Sequence, residues 1–197
     1  GIFFTIVNKT DYSNKTITLT FYTINKKINT ITLSNNVQHE LSHMFDYIMR
    51  GYKNVDNFID RKIYNTAIKV LNSYNNTTFE YELAYGLYIS FKSEIIGFIN
   101  GFNSEIKELF KENPSLPWWL ILPKTECYSN VKILEKILRD LDKIDEHLIK
   151  TLFGITTDIY KAKISKALKT YTIKIGKVLS RYTSLNTHFN HPQLQNK

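Results

Sequence analysis

One five-residue stretch, His39-Glu40-Leu41-Ser42-His43, limits what this chain can fold into more than anything else in it. On a helix, residues four apart lie one turn apart on one face, so two imidazoles so spaced can each offer a nitrogen to one metal ion. Glu40 would then stand beside that ion, where a carboxylate can hold a water and take its proton. The pattern makes three demands on the fold: a helix here, a third ligand from elsewhere in the chain, and one position left open for water.

The surrounding residues read as that helix. Val37, Leu41, Met44, Phe45 and Ile48 fall at i, i+4, i+7, i+8 and i+11, the spacing of one apolar stripe that packs on a core. His39, His43, Asp46 and Arg50 fall on the opposite side, with Glu40 and Tyr47 flanking them. Asn35 is expected to cap the helix, with Gln38 as its capping-box partner, and Arg50 followed by Gly51 marks the stop.

Ahead of this helix, residues 2–7, 16–23 and 27–33 are rich in Ile, Thr, Phe and Tyr and partly alternate. They predict three strands of a small antiparallel sheet. The fold class expected is therefore α+β: a small N-terminal sheet, then the motif helix, then a mainly helical C-terminal part. A sheet feeding directly into an H-E-x-x-H helix resembles the order of zinc peptidases, in which an exposed edge strand aligns an extended peptide substrate by backbone hydrogen bonds. Helices are expected over residues 55–74 and 79–88, separated by Asn75-Asn76-Thr77-Thr78, and helical character continues through 102–110. Pro114, Pro117 and Pro123 interrupt it, and both tryptophans, Trp118 and Trp119, sit in that apolar interruption as cover for the core or as a pocket wall. From 129 to 182 the apolar spacing is helical again, with a turn at Gly154. This divides the chain into a core of residues 1–128 and a helical extension of residues 129–197 with a basic end.

Candidates for the third ligand are Glu80, Glu82, Glu94, Glu105 and His147. Glu94 fits best. Ser93 can begin or cap a helix, Glu94 lies at its start, and Gly97 is small enough to let this helix pack close to the motif helix.

The combination His39-Glu40-Leu41-Ser42-His43, Tyr88 and Ser93-Glu94-Ile95-Ile96-Gly97-Phe98 resembles the gluzincin class of zinc metallopeptidases, closest to its short phage- and bacteria-encoded members. The resemblance covers roughly residues 16 to 103 and departs from the pattern at Gly97, where Ala is usual. It implies a zincin-like fold and Zn²⁺ held by His39, His43 and Glu94, with Glu40 as general base. It also implies Tyr88 as a hydrogen-bond donor to the oxyanion and Asp46 as a residue that orients a ligand histidine. Asp46 and Met49 stand where a metzincin would carry Gly and His.

Cys127 is the sole cysteine, so no disulfide forms within the chain and cysteine-based metal clusters are excluded. No apolar run reaches the roughly 18 residues that span a membrane, and no signal-peptide pattern is present. The chain reads as soluble, and its location stays open between cytoplasmic and virion-associated. Net charge is +8, and from Thr151 onward there are eight Lys or Arg against the single acid Asp158. That end suits an acidic partner, or is an ordinary solvated face of a Lys-rich chain. His188 and His191 lie in a polar tail and read as an adventitious pair. The function expected is a zinc-dependent metallopeptidase acting on a peptide or protein substrate. The rival is a non-catalytic structural or interaction protein, virion- or toxin-associated, that works through the basic helical end.

Overall fold

The computed structural model describes residues 2–7, 16–21, 30–49, 58–112, 114 and 116–187. Two strands, β1 (Ile2–Val7) and β2 (Thr16–Phe21), precede eight helices. These are α1 (Thr30–Met49), α2 (Phe58–Ser73), α3 (Phe79–Ile89), α4 (Lys92–Glu112), α5 (Trp118–Ile121), α6 (Glu126–Asp140), α7 (Glu146–Phe153) and α8 (Thr157–Thr187).

The expected α+β, zincin-like class is overturned. The body of the molecule is 89% helical and contains no strand among the residues whose side chains are described. β1 and β2 pair antiparallel, Ile2 opposite Phe21 and Val7 opposite Thr16, as a two-stranded ribbon among the described residues. The expected third strand, residues 27–33, runs into α1, which is already helical at Thr30. Its alternation rests on Ile31 and Leu33 alone, a run too short to tell a strand from the first turn of a helix.

Local chemistry sets many of the helix ends. Thr78 accepts a hydrogen bond from the Tyr81 N–H and starts α3, Thr125 accepts one from Tyr128 and starts α6, and Asp145 accepts one from His147 and starts α7. Each satisfies an amide that the first helical turn leaves without a partner. Gly154 closes α7 at φ 68°, where a side chain would be strained.

One buried cluster joins the helices. It runs from Ile63, Ala67 and Val70 on α2 through Leu83, Leu87, Phe98 and Phe102 to Tyr160, Tyr171 and Leu179 on α8. Burial of this apolar surface is the main stabilising term. Side-chain hydrogen bonds to carbonyls fix the register of α8. Tyr160 Oη donates to Leu83 O at 2.8 Å and Tyr171 Oη to Ile89 O at 3.2 Å. Ile59, read as part of the apolar side of α2, is 69% exposed. In the proline-rich interruption Trp118 packs on the core, while Trp119 and Leu120 are exposed.

The seam between α1 and α4 corrects the expected orientation of the motif helix. The side of α1 that is most buried is polar: Asn35 and His39 are buried, whereas Phe45 is 58% and Met49 83% exposed. Val37, Leu41, Met44 and Ile48 are half-buried. Asn35 is therefore no N-cap but an interior residue of α1, one turn before His39. The reason lies on α4, where Gly97 and Gly101 leave room. A Cβ at Gly101 would overlap the Asn35 side chain and come within 2.9 Å of its carbonyl oxygen. Polar pairs close the seam on either side: Ser34 with Ser104, and Asn100 Nδ2 donating to Ser42 Oγ at 2.8 Å.

Candidate metal centre

His39 and His43 lie on successive turns of α1, and Glu94 lies in the first turn of α4. The packing of α4 on α1 brings the three together. His39 Nε2 is 3.0 Å from His43 Nε2, and Glu94 Oε2 is 3.4 Å from the first and 3.6 Å from the second. A tetrahedral ion with ligand bonds of about 2.0–2.1 Å places its donors about 3.3 Å apart. The observed triangle has that size. His39, His43 and Glu94 are the one group among the described residues that could ligate a metal in this way.

The donor set also fits a cation on energetic grounds. Glu94 is 3% exposed, and its Oε2 has no hydrogen-bond partner. A buried carboxylate oxygen with no partner is costly unless a positive charge stands near it. Burial disfavours the Glu94 carboxylate, but the two imidazoles, and then the Tyr88 hydroxyl, favour it by more and hold it well below the usual carboxylate range. Burial likewise works against protonation of His43, but Glu94, Glu40 and Asp46 outweigh it and raise its pKa. The side chain of His43 is 23% exposed against 10% for His39, so the centre opens to solvent on the His43 side.

Gly97 makes the site possible sterically. A Cβ there would come within 2.8 Å of His39 Cε1, 2.9 Å of Nδ1 and 3.0 Å of Nε2. The imidazole thus occupies the space that an alanine methyl would need. Phe98 supports the ring edge-on, with centroids 4.4 Å apart.

Glu40 is half-buried next to His39 and close enough to His39, His43 and Glu94 to feel all three charges. Burial raises its pKa, and the two histidines temper that rise. A carboxylate with strengthened proton affinity at the edge of a metal site is suited to accepting a proton from water. Asp46 contributes to the charge around His43. Tyr88, on α3, faces Glu94. Its pKa is pushed up by burial, then by the charge of Glu94 and a hydrogen bond to it. The oxyanion-donor role read for Tyr88 thus competes with a role at the ligand itself.

The other candidates for the third ligand lie elsewhere. Glu82 pairs with Lys136 at 2.6 Å, His147 is exposed on α7 beside Thr151, and Glu105 accepts from Asn35 Nδ2 at 3.3 Å. Glu80 is half-buried in the first turn of α3. His188 and His191 lie outside the described residues.

Tyr64 on α2 escaped the sequence reading. Its hydroxyl donates to Glu94 Oε1 at 3.0 Å. The apolar spacing of α2 placed Ile63 and Ala67 inside, which puts Tyr64 at the border of that stripe, but no spacing rule links it to a residue thirty positions on. Asn35 and Glu126 were missed for the same reason; Asn35 Nδ2 donates to Glu126 Oε2 at 3.0 Å beneath the seam. No family model, curated protein or solved structure matches this chain.

Proposed function

We propose that this chain is a zinc-dependent hydrolase of peptide bonds with a gluzincin-type ligand set, His39, His43 and Glu94. The observation that carries the reading is the convergence of these three donors around the partnerless Oε2 of Glu94. Zinc bound there supplies Lewis-acid polarisation of a scissile carbonyl and lowers the pKa of water towards about 7. His39 and His43 through Nε2 and Glu94 through Oε2 would hold the ion, and a three-ligand set of this kind would leave it able to take up water. Glu40 accepts the proton of the attacking water and returns it to the leaving amine. Asp46, whose charge acts on His43, would orient that ligand imidazole. The peptide assignment is supported by the H-E-x-x-H order itself, in which the base follows the first ligand directly.

The test pairs metal analysis with a peptidase assay. About one zinc per wild-type chain is expected, with a clear loss in Glu94→Ala. Glu40→Gln should keep its zinc and lose at least about 100-fold in hydrolysis. Full zinc in the wild type with no cleavage of any peptide in a mixed library would leave a structural metal and overturn the hydrolase reading.

A further inference from the structure

We propose that Tyr64 is a positioning residue that makes Glu94 a one-oxygen ligand and so keeps the fourth position of the metal centre open. The inference rests on the zinc reading above and adds α2 as a third helix of the centre.

A carboxylate can meet a metal through one oxygen or through both. The second mode fills a position that substrate and water need. Glu94 has one oxygen in each of two different environments. Oε1 receives the Tyr64 hydroxyl at 3.0 Å. Oε2 makes no hydrogen bond of normal geometry and faces His39 Nε2 at 3.4 Å and His43 Nε2 at 3.6 Å, with the Tyr88 hydroxyl also near the carboxylate. Turning the carboxylate to present both oxygens would break a charge-assisted hydrogen bond inside the protein, where such bonds are strong.

The donor is itself held in place. The Tyr64 ring stands edge-on to Phe91 with centroids 5.1 Å apart and lies tilted against Tyr88 at 5.7 Å. Its neighbours on α2, Ile63 and Ala67, are in the core. A tyrosine kept only for packing would have no need to aim its hydroxyl at a ligand. Here the one polar atom of the side chain meets Glu94 Oε1, while the contacts to the two imidazoles are made by Oε2.

The test is Tyr64→Phe, which keeps the ring and deletes the donor. Zinc affinity, measured by competition with a chromophoric chelator, should fall 10- to 100-fold, the usual cost of losing a partner of a metal ligand. The melting temperature of the metal-free protein reports whether the ring packing survived. A second measurement needs no variant: the infrared carboxylate stretches of the zinc-loaded wild type should show the wide splitting of one-oxygen ligation. Unchanged zinc affinity in Tyr64→Phe, or two-oxygen ligation in the wild type, overturns this inference and leaves the zinc site standing. Failure of the wild type to take up zinc removes the site and this inference together.

Discussion

Gly97 lies directly beneath the imidazole of His39, close enough that a methyl group at its Cα would come within 2.8 Å of Cε1. One hydrogen atom on α4 thus decides whether the His39 imidazole on α1 can reach Glu94. Two helices that meet through glycine approach more closely than apolar side chains allow, and the space gained here is filled by an imidazole and an amide.

Gly97→Ala should therefore damage both stability and metal binding. Overpacking of this kind costs about 1–3 kcal/mol, and Phe98, which lies against the ring, limits its room to retreat. Urea unfolding and zinc content measure the two effects. Gly176, exposed in the middle of α8 with nothing within 4 Å of its would-be Cβ, is the control. Gly176→Ala should gain up to about 1 kcal/mol from helix propensity alone. Wild-type zinc content in Gly97→Ala would mean that α4 can move away without cost.

Zinc should act as a folding ligand. The centre ties α1 to α4, and the unfolded chain has no such arrangement of donors, so binding adds to stability by mass action. At a free zinc concentration 100 times the dissociation constant the gain is about 2.7 kcal/mol. It should appear as a rise in melting temperature that His43→Ala abolishes and His147→Ala, on the exposed face of α7, leaves intact. A rise that survives in His43→Ala would place the metal elsewhere.

A second carboxyl pair under the same seam should make the fold pH-sensitive. Glu105 is buried and shares the Asn35 amide with Glu126, at 3.3 and 3.0 Å, and also faces the Cys127 thiol. Burial pushes Glu105 from 4.5 up to about 7, against the hydrogen bond from the Glu126 N–H and with the help of the Glu126 charge. Glu126 is raised too, chiefly by burial, with His39 and Asn35 opposing. The folded state therefore binds the Glu105 proton more tightly than the unfolded chain does. Its contribution is present in full below about pH 4.5 and is lost as pH rises through about 7. Melting with chelator present, which removes any zinc linkage, should show stability falling by about 1–3 kcal/mol between pH 5 and pH 8. Glu105→Gln should flatten that fall. An equally steep decline in the variant would assign it to other groups.

Periodicity made much of the helical part of the fold legible, because α2, α3 and α8 bury a side that is largely apolar, whereas α4 buries Glu94 and Glu105 and α6 buries Asn130 within theirs. The break at Asn75-Asn76-Thr77-Thr78 and the turn at Gly154 were legible for local reasons of capping and positive φ. The orientation of α1 was not. An apolar stripe is informative only when the opposing surface is apolar, and here the opposing surface is the glycine-lined side of α4, so Asn35 and His39 go inward instead. The α+β class failed on Ile31 and Leu33, whose two-residue alternation a helix start shares. The placement of Glu94 beside His39 and His43 was legible from its neighbours Ser93 and Gly97. Tyr64 was not, because a hydrogen bond between helices thirty residues apart leaves no spacing in the sequence.

The basic C-terminal helices must be tested by surface substitution rather than by deletion. Deleting residues 129–197 would remove Tyr160 and Tyr171, both fully buried, and would bare Leu83, Ala84 and Leu87 on α3. It would also take away Asn130, whose Oδ1 accepts from Tyr85 Oη at 3.0 Å. Losses of that size exceed the whole stability of an ordinary domain, so the truncated chain is expected to be insoluble and its inactivity uninformative. Lys166 and Lys169 are exposed on the outer side of α8. The double variant Lys166→Glu, Lys169→Glu should fold within about 0.5 kcal/mol of the wild type and keep its zinc and its rate of peptide cleavage. Wild-type zinc and folding with lost function would shift the working surface from the metal centre to this basic face. An acidic partner would then be sought through the salt dependence of its binding.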